Sequence, residues 1–510
     1  MASLIAQGQQ IDHRLVDIDS STLFYRLIVL VERSPNITSY FNYELTTTPC
    51  SLFNGFTMNK AGKAALGKLL KQNVAESNCT GASDIFVIDG GALLHHVKWL
   101  RDVPLSDTMS QYVTLVKKRY GRNSIVVFDG YETGPSIKDH EHQRRQKKAT
   151  ALTPDVICSD DTVVSDSQQA FLANQHNKIQ FIRLLSERFR KEGVSVIQAK
   201  GDADTDIVST ALHEAHSKTV TVAADDTDIF ILLLHHHSPQ LHDIHLLSQT
   251  VNKKSGKCAS ISIRELHKKL GRETCRQLPA IHAIGGCDTT SGLFGVGKRT
   301  VFRKLTMDMK FVHQTAVLQD PDASIVDVLK AGMTLMLAIY GVKSDGSLND
   351  TRYRMFCNMA ASSLSRPKPQ ELPPTEGAAK YHIMRSHLQA VCWVSLKSDA
   401  LNPCEWGWKV VTDELMPITT DLPPAPDDLL TVIRCKCKTA CISSLCSCRK
   451  NNLHCVTACA NCHGDSCMNV SKVSPADADD DVNGSFDGHG SFYLDFDDCD
   501  DEEIVHCDDS

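Results

Sequence analysis

Residues 85–89 read Ile85-Phe86-Val87-Ile88-Asp89, and residues 125–129 read Ile125-Val126-Val127-Phe128-Asp129. Each is a short, unbroken apolar run that stops on an aspartate. Val220-Thr221-Val222-Ala223-Ala224 leads in the same way into Asp225-Asp226-Thr227-Asp228. Runs of this length without polar alternation mark strands buried on both faces, the habit of a parallel sheet. Helical stretches lie between them, so the class is α/β with a mostly parallel sheet flanked by helices. In such sheets the ligand site lies at the carboxyl ends of the strands, which is where these aspartates stand.

Working outward, Asp202 and Asp204 follow the run Val194-Ser195-Val196-Ile197, and Asp288 follows Gly285-Gly286-Cys287. The full set is Asp89, Asp129, Asp202, Asp204, Asp226, Asp228 and Asp288. Carboxylates gathered at one sheet edge repel one another and are costly to keep ionised without a cation. Divalent ions that take oxygen ligands are the simplest compensation, which points to a two-metal phosphodiesterase site. The alternative for any one residue is a capping or turn aspartate at a strand–helix junction.

The same reading sets the organisation of the chain. Residues 1–83 form an N-terminal region of unassigned role, with Leu27–Val31 as a candidate strand and Lys60–Lys71 as a helix. Residues 84–305 form the α/β domain. Within it the spacing predicts a long helix over Ser167–Glu192, strands near 219–224 and 229–234, and helices near 262–270 and 275–284. Residues 306–420 read as a mainly helical extension, and 421–434, with Leu422-Pro423-Pro424-Ala425-Pro426, as a stiff linker. A cysteine-rich module at 435–470 and an acidic, disordered tail at 471–510 complete the chain.

Charge and cysteine are both unevenly placed. From Val473 to Ser510 there are 14 acidic residues and no lysine or arginine, leaving 47 acidic against 54 basic residues elsewhere. A mildly basic body suits a polyanionic partner. No apolar stretch has the length of a membrane span, and Met1–Gln7 lacks a secretory pattern, so an intracellular, nuclear location is expected. Nine of the 20 cysteines fall between Cys435 and Cys467: Cys435, Cys437, Cys441, Cys446, Cys448, Cys455, Cys459, Cys462 and Cys467. Cys-x-Cys pairs suit thiolates sharing a metal, and an odd count argues against a disulfide framework. His235-His236-His237 reads as an exposed loop.

Two further patterns suggest grip on a polyanion. Lys138 and Arg145 share one helical face, with Arg144 beside them; a solvated basic face or a nuclear import signal is the alternative. Gly292-x4-Gly297-Lys298 approaches a phosphate-binding loop but has Arg299 where a Mg2+-binding Ser or Thr belongs. A helix-hairpin-helix fits better: Gly295 and Gly297 admit a DNA phosphate to the backbone, and Lys298 and Arg299 add charge. A plain glycine turn is the alternative.

The ordered carboxylates followed by Gly295-Val296-Gly297-Lys298 resemble the flap-endonuclease/XPG-type nucleases of the PIN-like superfamily over residues 84–305. The resemblance implies a nuclease using two Mg2+ or Mn2+ ions, with Asp89, Asp129, Asp202 and Asp204 near one and Asp226, Asp228 and Asp288 near the other. It implies phosphate contacts from Lys138 and Arg145. Asp202 and Asp204 stand where that family usually has glutamates. The cysteine block is similar to the CXC (tesmin/TSO1-type) domain, implying about three zinc ions on nine thiolates; Leu445 replaces its minor-groove tyrosine. Together these imply a metal-dependent nuclease positioned on nucleic acid, DNA before RNA, or on chromatin by a zinc module. The rival is a catalytically degenerate PIN-like protein that binds without cutting.

Overall fold

A computed structural model describes residues 8–11, 14–17, 20–32, 37–72, 83–130, 137, 153–251, 258–342, 346–361, 367–397, 401–412, 414–432, 434–438, 440–450, 453–456 and 459–470. Lys138, Arg144, Arg145 and the acidic tail lie outside the described residues.

The central sheet has six strands: β1 (Ile85–Asp89), β2 (Ser124–Phe128), β3 (Ser195–Gln198), β4 (Val220–Ala223), β5 (Ile244–Val251) and β6 (Cys258–Ser262). Their order is β6-β5-β4-β1-β2-β3. All neighbours are parallel except the β5–β6 pair. The chain therefore leaves β1 toward β2 and β3 on one side, then returns to add β4 and β5 on the other. That reversal opens a crevice between the carboxyl ends of β1 and β4, the place where open α/β sheets bind ligands.

Successive residues of β1 alternate between two cores, as a pleated strand requires. Ile85 and Val87 face one core with Val127, Val220 and Val222. Ile88 faces the other with Val126, Phe128 and Ala223. The first core is covered by α-helices α2 (Lys63–Lys71), α5 (Ala203–Glu214), α6 (Thr227–His236) and α7 (Arg272–Ile284). The second is covered by α3 (Leu105–Arg119) and α4 (Gln175–Lys191). Burial on both faces is why β1, β2 and β4 carry so few polar residues.

Several expectations are corrected here. The run 229–234 is not a strand: it lies inside α6, whose residues from Thr227 to Leu234 are all buried. A helix enclosed on every side is apolar all round and loses its amphipathic signature. Leu27–Val31 belongs to a helix, α1 (Ser20–Val31). The expected helix over 167–192 is two, Gln168–Ala173 and α4, separated at Asn174, whose side chain caps α4 by accepting from the Asn177 N–H. Strands β5 and β6 were not expected. His235 and His236 end α6 half-buried and His237 is buried, rather than forming an exposed loop.

Beyond the sheet, α8 (Lys298–Thr306), α9 (Ile325–Ile339) and α10 (Glu376–Ser395) build a separate core with the other side of α7. A hairpin of Trp408–Val411 and Glu414–Pro417 closes it. Helix α1 packs Leu23, Phe24 and Leu27 against Phe356, Leu372 and Leu429. No described helix is long and apolar enough to cross a membrane.

Candidate metal centres

The exits of β1 and β2 are pressed together. Asp89 is paired in register with Val127, and each terminal aspartate is followed by a glycine that the packing demands. A Cβ on Gly90 would meet the Phe128 ring at 2.4 Å, and one on Gly130 would meet the Lys200 carbonyl oxygen at 2.0 Å. The Gly130 N–H donates to the Gly201 carbonyl at 2.7 Å, tying the β2 exit to the β3 exit. Asp129 accepts from the Ala203 N–H at 3.3 Å, so the start of α5 and its Asp204 are drawn to the same edge.

Asp204, Asp226 and Asp228 each place a carboxylate oxygen within 4.8 Å of the other two. Asp89 and Asp129 flank Gly91 from the same side. The Asp89 carboxyl is pushed up to about 6, first by burial, then by the charges of Asp129 and Asp226, against the Ala92 N–H that stabilises its anion. Five carboxylates from four strand exits thus share one edge, where the charges of Asp129 and Asp226 add to burial in disfavouring the ionised form of Asp89. Asp89 and Asp226 also cap helical turns, accepting from Ala92 and Asp228 respectively. Capping and metal binding are compatible, because a carboxylate has lone pairs for both. An oxygen-only set of this density fits a hard divalent cation.

Asp202 and Asp288 fall outside the three-carboxylate set among the described residues. Asp202 starts α5 and makes no capping bond; its charge acts on Asp206, whose pKa rises first through burial. Asp288 is half-buried beside Cys287, whose thiol burial and then Asp228 push up. The grouping therefore joins Asp204 to Asp226 and Asp228, where the family resemblance had divided them.

Three residues that sequence did not single out for the site stand around it. Lys178, on α4, brings its ammonium to 3.9 Å from the Asp129 carboxylate. His282, on α7, donates from Nε2 to Asp228 Oδ1 at 2.7 Å and is fully buried. Trp393 of α10 stacks on His282, with ring centroids 5.4 Å apart. Lys178 carried a weak signal, a lysine among the inward positions of its helix. The other two contacts are long-range and leave no local pattern.

The glycine loop 285–297 is clamped rather than open. Gly292 donates to the Asn59 carbonyl at 2.6 Å, and Phe294 to Ser51 at 2.9 Å. Gly295 has φ +71° and open space around it. Lys298 is turned inward, only 2 % exposed, with its ammonium on His282. That is not the geometry of a phosphate contact. Arg299 is exposed and donates to Gln72 at 3.3 Å.

The second centre is sulfur-rich. All nine cysteines of the module are free thiols rather than disulfides. Five Sγ–Sγ separations lie between 3.6 and 3.9 Å. A disulfide is about 2.05 Å, whereas two thiolates on one tetrahedral zinc, each at about 2.3 Å, stand about 3.8 Å apart. Cys435, Cys437, Cys441 and Cys446 form one compact tetrad, and Cys441, Cys455, Cys462 and Cys467 a second. Cys435, Cys448, Cys455 and Cys459 are likewise mutually close. Cys435, Cys446, Cys448 and Cys455 also group together, as do Cys435, Cys455, Cys459 and Cys462, so the nine sulfurs form one overlapping cluster from which three tetrads sharing Cys435, Cys441 and Cys455 pairwise can be drawn.

No protein-family model matches the chain, and a search of curated proteins finds no match. Among solved structures, the chain is similar to the catalytic core of Rad2 in complex with DNA substrate, at 12% identity and TM-score 0.33 over 72% of this chain and 93% of that one. A bacteriophage T5 flap endonuclease in complex with DNA and metal ions matches at 16% identity and TM-score 0.30 over 60% and 99%. The Holliday junction-resolving enzyme GEN1, with product DNA and Mg2+, matches at 14% identity and TM-score 0.26 over 49% and 47%.

Proposed function

We propose that the protein is a divalent-metal-dependent nuclease that hydrolyses nucleic-acid phosphodiester bonds, with a C-terminal zinc module that positions it. The observation that carries this reading is the convergence of Asp89, Asp129, Asp204, Asp226 and Asp228 on the carboxyl edge of one parallel sheet. Mg2+ or Mn2+ held there would lower the pKa of an attacking water and offset charge on the leaving oxygen. Asp204, Asp226 and Asp228 are the ligands of the tighter position, and Asp89 with Asp129 those of a neighbouring one; Asp202 and Asp288 line its rim. Lys178 adds positive charge next to Asp129, where a phosphate oxygen would approach. Lys138, Arg144 and Arg145 are retained as phosphate contacts, and Gly295, Gly297 and Arg299 as a helix-hairpin-helix grip on duplex DNA.

In the module, the three shared-sulfur tetrads support three zinc ions with Cys435, Cys441 and Cys455 as bridging thiolates. So short a segment has little apolar core beyond Leu453 and Val456, so metal supplies its folding energy. Lys436, Lys438 and Lys450, all exposed, would face nucleic acid, with Arg449 behind them donating to the Cys441 and Met468 carbonyls. The test is cleavage of flap, bubble and single-stranded DNA and RNA in Mg2+ or Mn2+, with Asp226→Ala beside the wild type. Expected is metal-dependent cutting that falls about 100-fold or more in the variant. Wild-type protein that binds these substrates but cuts none of them would leave the degenerate binding protein as the better reading.

A further inference from the structure

Asp228 is the most buried of the clustered carboxylates, 5 % exposed, and its surroundings include a chain of hydrogen bonds that the nuclease reading does not use. His282 lies on one side of it, its Nε2 2.7 Å from Asp228 Oδ1. On the far side of the ring, Lys298 Nζ is 2.7 Å from His282 Nδ1 and 2.6 Å from the His282 carbonyl oxygen. An ammonium has protons to give and no lone pair. Nδ1 must therefore accept, which leaves the proton on Nε2 and points it at the carboxylate. The tautomer follows from Lys298.

The arrangement is costly, which argues that it holds something in place. Lys298 is the first residue of α8, at the positive end of the helix, where a cation is disfavoured. It is also removed from water. The negative charge of Asp228 lies across the His282 ring from that ammonium, and Trp393 stacks on the face of the same ring. His282 and Lys298 bracket the loop 285–297, so the end of α7 and the start of α8 both bear on one carboxylate.

We propose that His282, held by Lys298, is a positioning residue that fixes the rotation of Asp228 so that its remaining lone pairs face the bound divalent cation. The proposal rests on the metal-site reading. Outer partners of a metal-binding carboxylate commonly contribute 10- to 100-fold to metal affinity. The probe is Mn2+, titrated into full-length, zinc-loaded protein and followed by electron paramagnetic resonance, with melting recorded for each variant. His282→Leu should lower Mn2+ affinity by about 10- to 100-fold. His282→Gln, which keeps an N–H donor, should recover most of the loss, and Lys298→Met should fall between. A purely structural role would move the melting temperature without this ranking in affinity. Wild-type binding that depends on Asp226, together with variants that bind Mn2+ as tightly as wild type, overturns the positioning role alone. Wild-type protein with no Asp226-dependent Mn2+ binding overturns the metal site and the positioning role together. Should His282→Leu fail to fold, Lys298→Met decides, and unchanged affinity there overturns the proposal.

Discussion

Asp89 carries the electrostatics of the sheet edge in one titration. Its carboxyl sits at about 6 in the fold against 3.8 for the free side chain, because burial and two neighbouring carboxylates disfavour its charge. A group raised in this way contributes stability that is full below 3.8 and lost as pH rises through 6. The metal-free protein should therefore lose this contribution on going from about pH 4 to about pH 6. A divalent cation reverses the sign, since it binds the ionised form and competes with the proton. Expected is a Mn2+-induced rise in melting temperature that is small at about pH 5 and large at about pH 8. Asp89→Asn should raise the melting temperature of the metal-free protein at the higher pH and reduce the Mn2+ effect. A Mn2+ effect equal at both pH values, with Asp89 intact, would show that this carboxylate is not a ligand.

At the scale of elements, the site is set by how closely strand exits approach. Gly130→Ala would put a methyl group 2.0 Å from a backbone oxygen of Lys200, and backbone cannot swing aside as a side-chain tip can. The β2 and β3 exits must part, moving Asp129 and the start of α5 away from Asp226. Expected is a loss of about 1–3 kcal/mol in stability and weaker Mn2+ binding in the folded protein, measured by denaturant melts and titration. The aspartates that end β1 and β2 were readable in the sequence at these points, whereas the close approach that requires the glycines after them was not. So were β1, β2 and β4, because strands buried on both faces are nearly pure apolar runs. Helix α6 was not, since Ile229–Leu234 is equally apolar and a short run of that kind does not distinguish a core helix from a strand. Strand β5 was missed for the opposite reason: His245, Ser248 and Gln249 dilute it. Phe230→Ala, which empties the centre of α6, should cost about 3–5 kcal/mol; a loss below about 1 kcal/mol would be out of keeping with a helix enclosed on all sides.

Across the whole molecule, the cysteine module is joined to the N-terminal helix by a charge. Nine thiolates around three divalent ions would carry a net charge of about −3, and such a cluster needs nearby cations. Arg26 of α1, buried at 5 % exposure, donates to Cys448 Sγ at 3.1 Å and to the His454 carbonyl. Val29 of the same helix lies against the cysteine core. The apolar side of α1 meanwhile packs on Phe356, Leu372 and Leu429, so α1 is shared between the helical extension and the module. The contact between sequence ends hundreds of residues apart left no trace in the local pattern, whereas the cysteine spacing announced the module itself. Stripping zinc with a chelator should unfold 434–470, remove Cys448 and His454 from Arg26, and leave a guanidinium buried without those partners, a strongly destabilising arrangement. Hydrogen exchange should then accelerate at residues 20–31 as well as in the module, while β1, β2 and β4, which belong to other cores, keep their protection. Arg26→Met should conversely make zinc easier to remove, because the cluster loses a cation and keeps the packing of the side-chain stem. If exchange at 20–31 is the same with and without zinc, α1 is held by its apolar face alone, and Arg26 is not the link between the two ends of the chain.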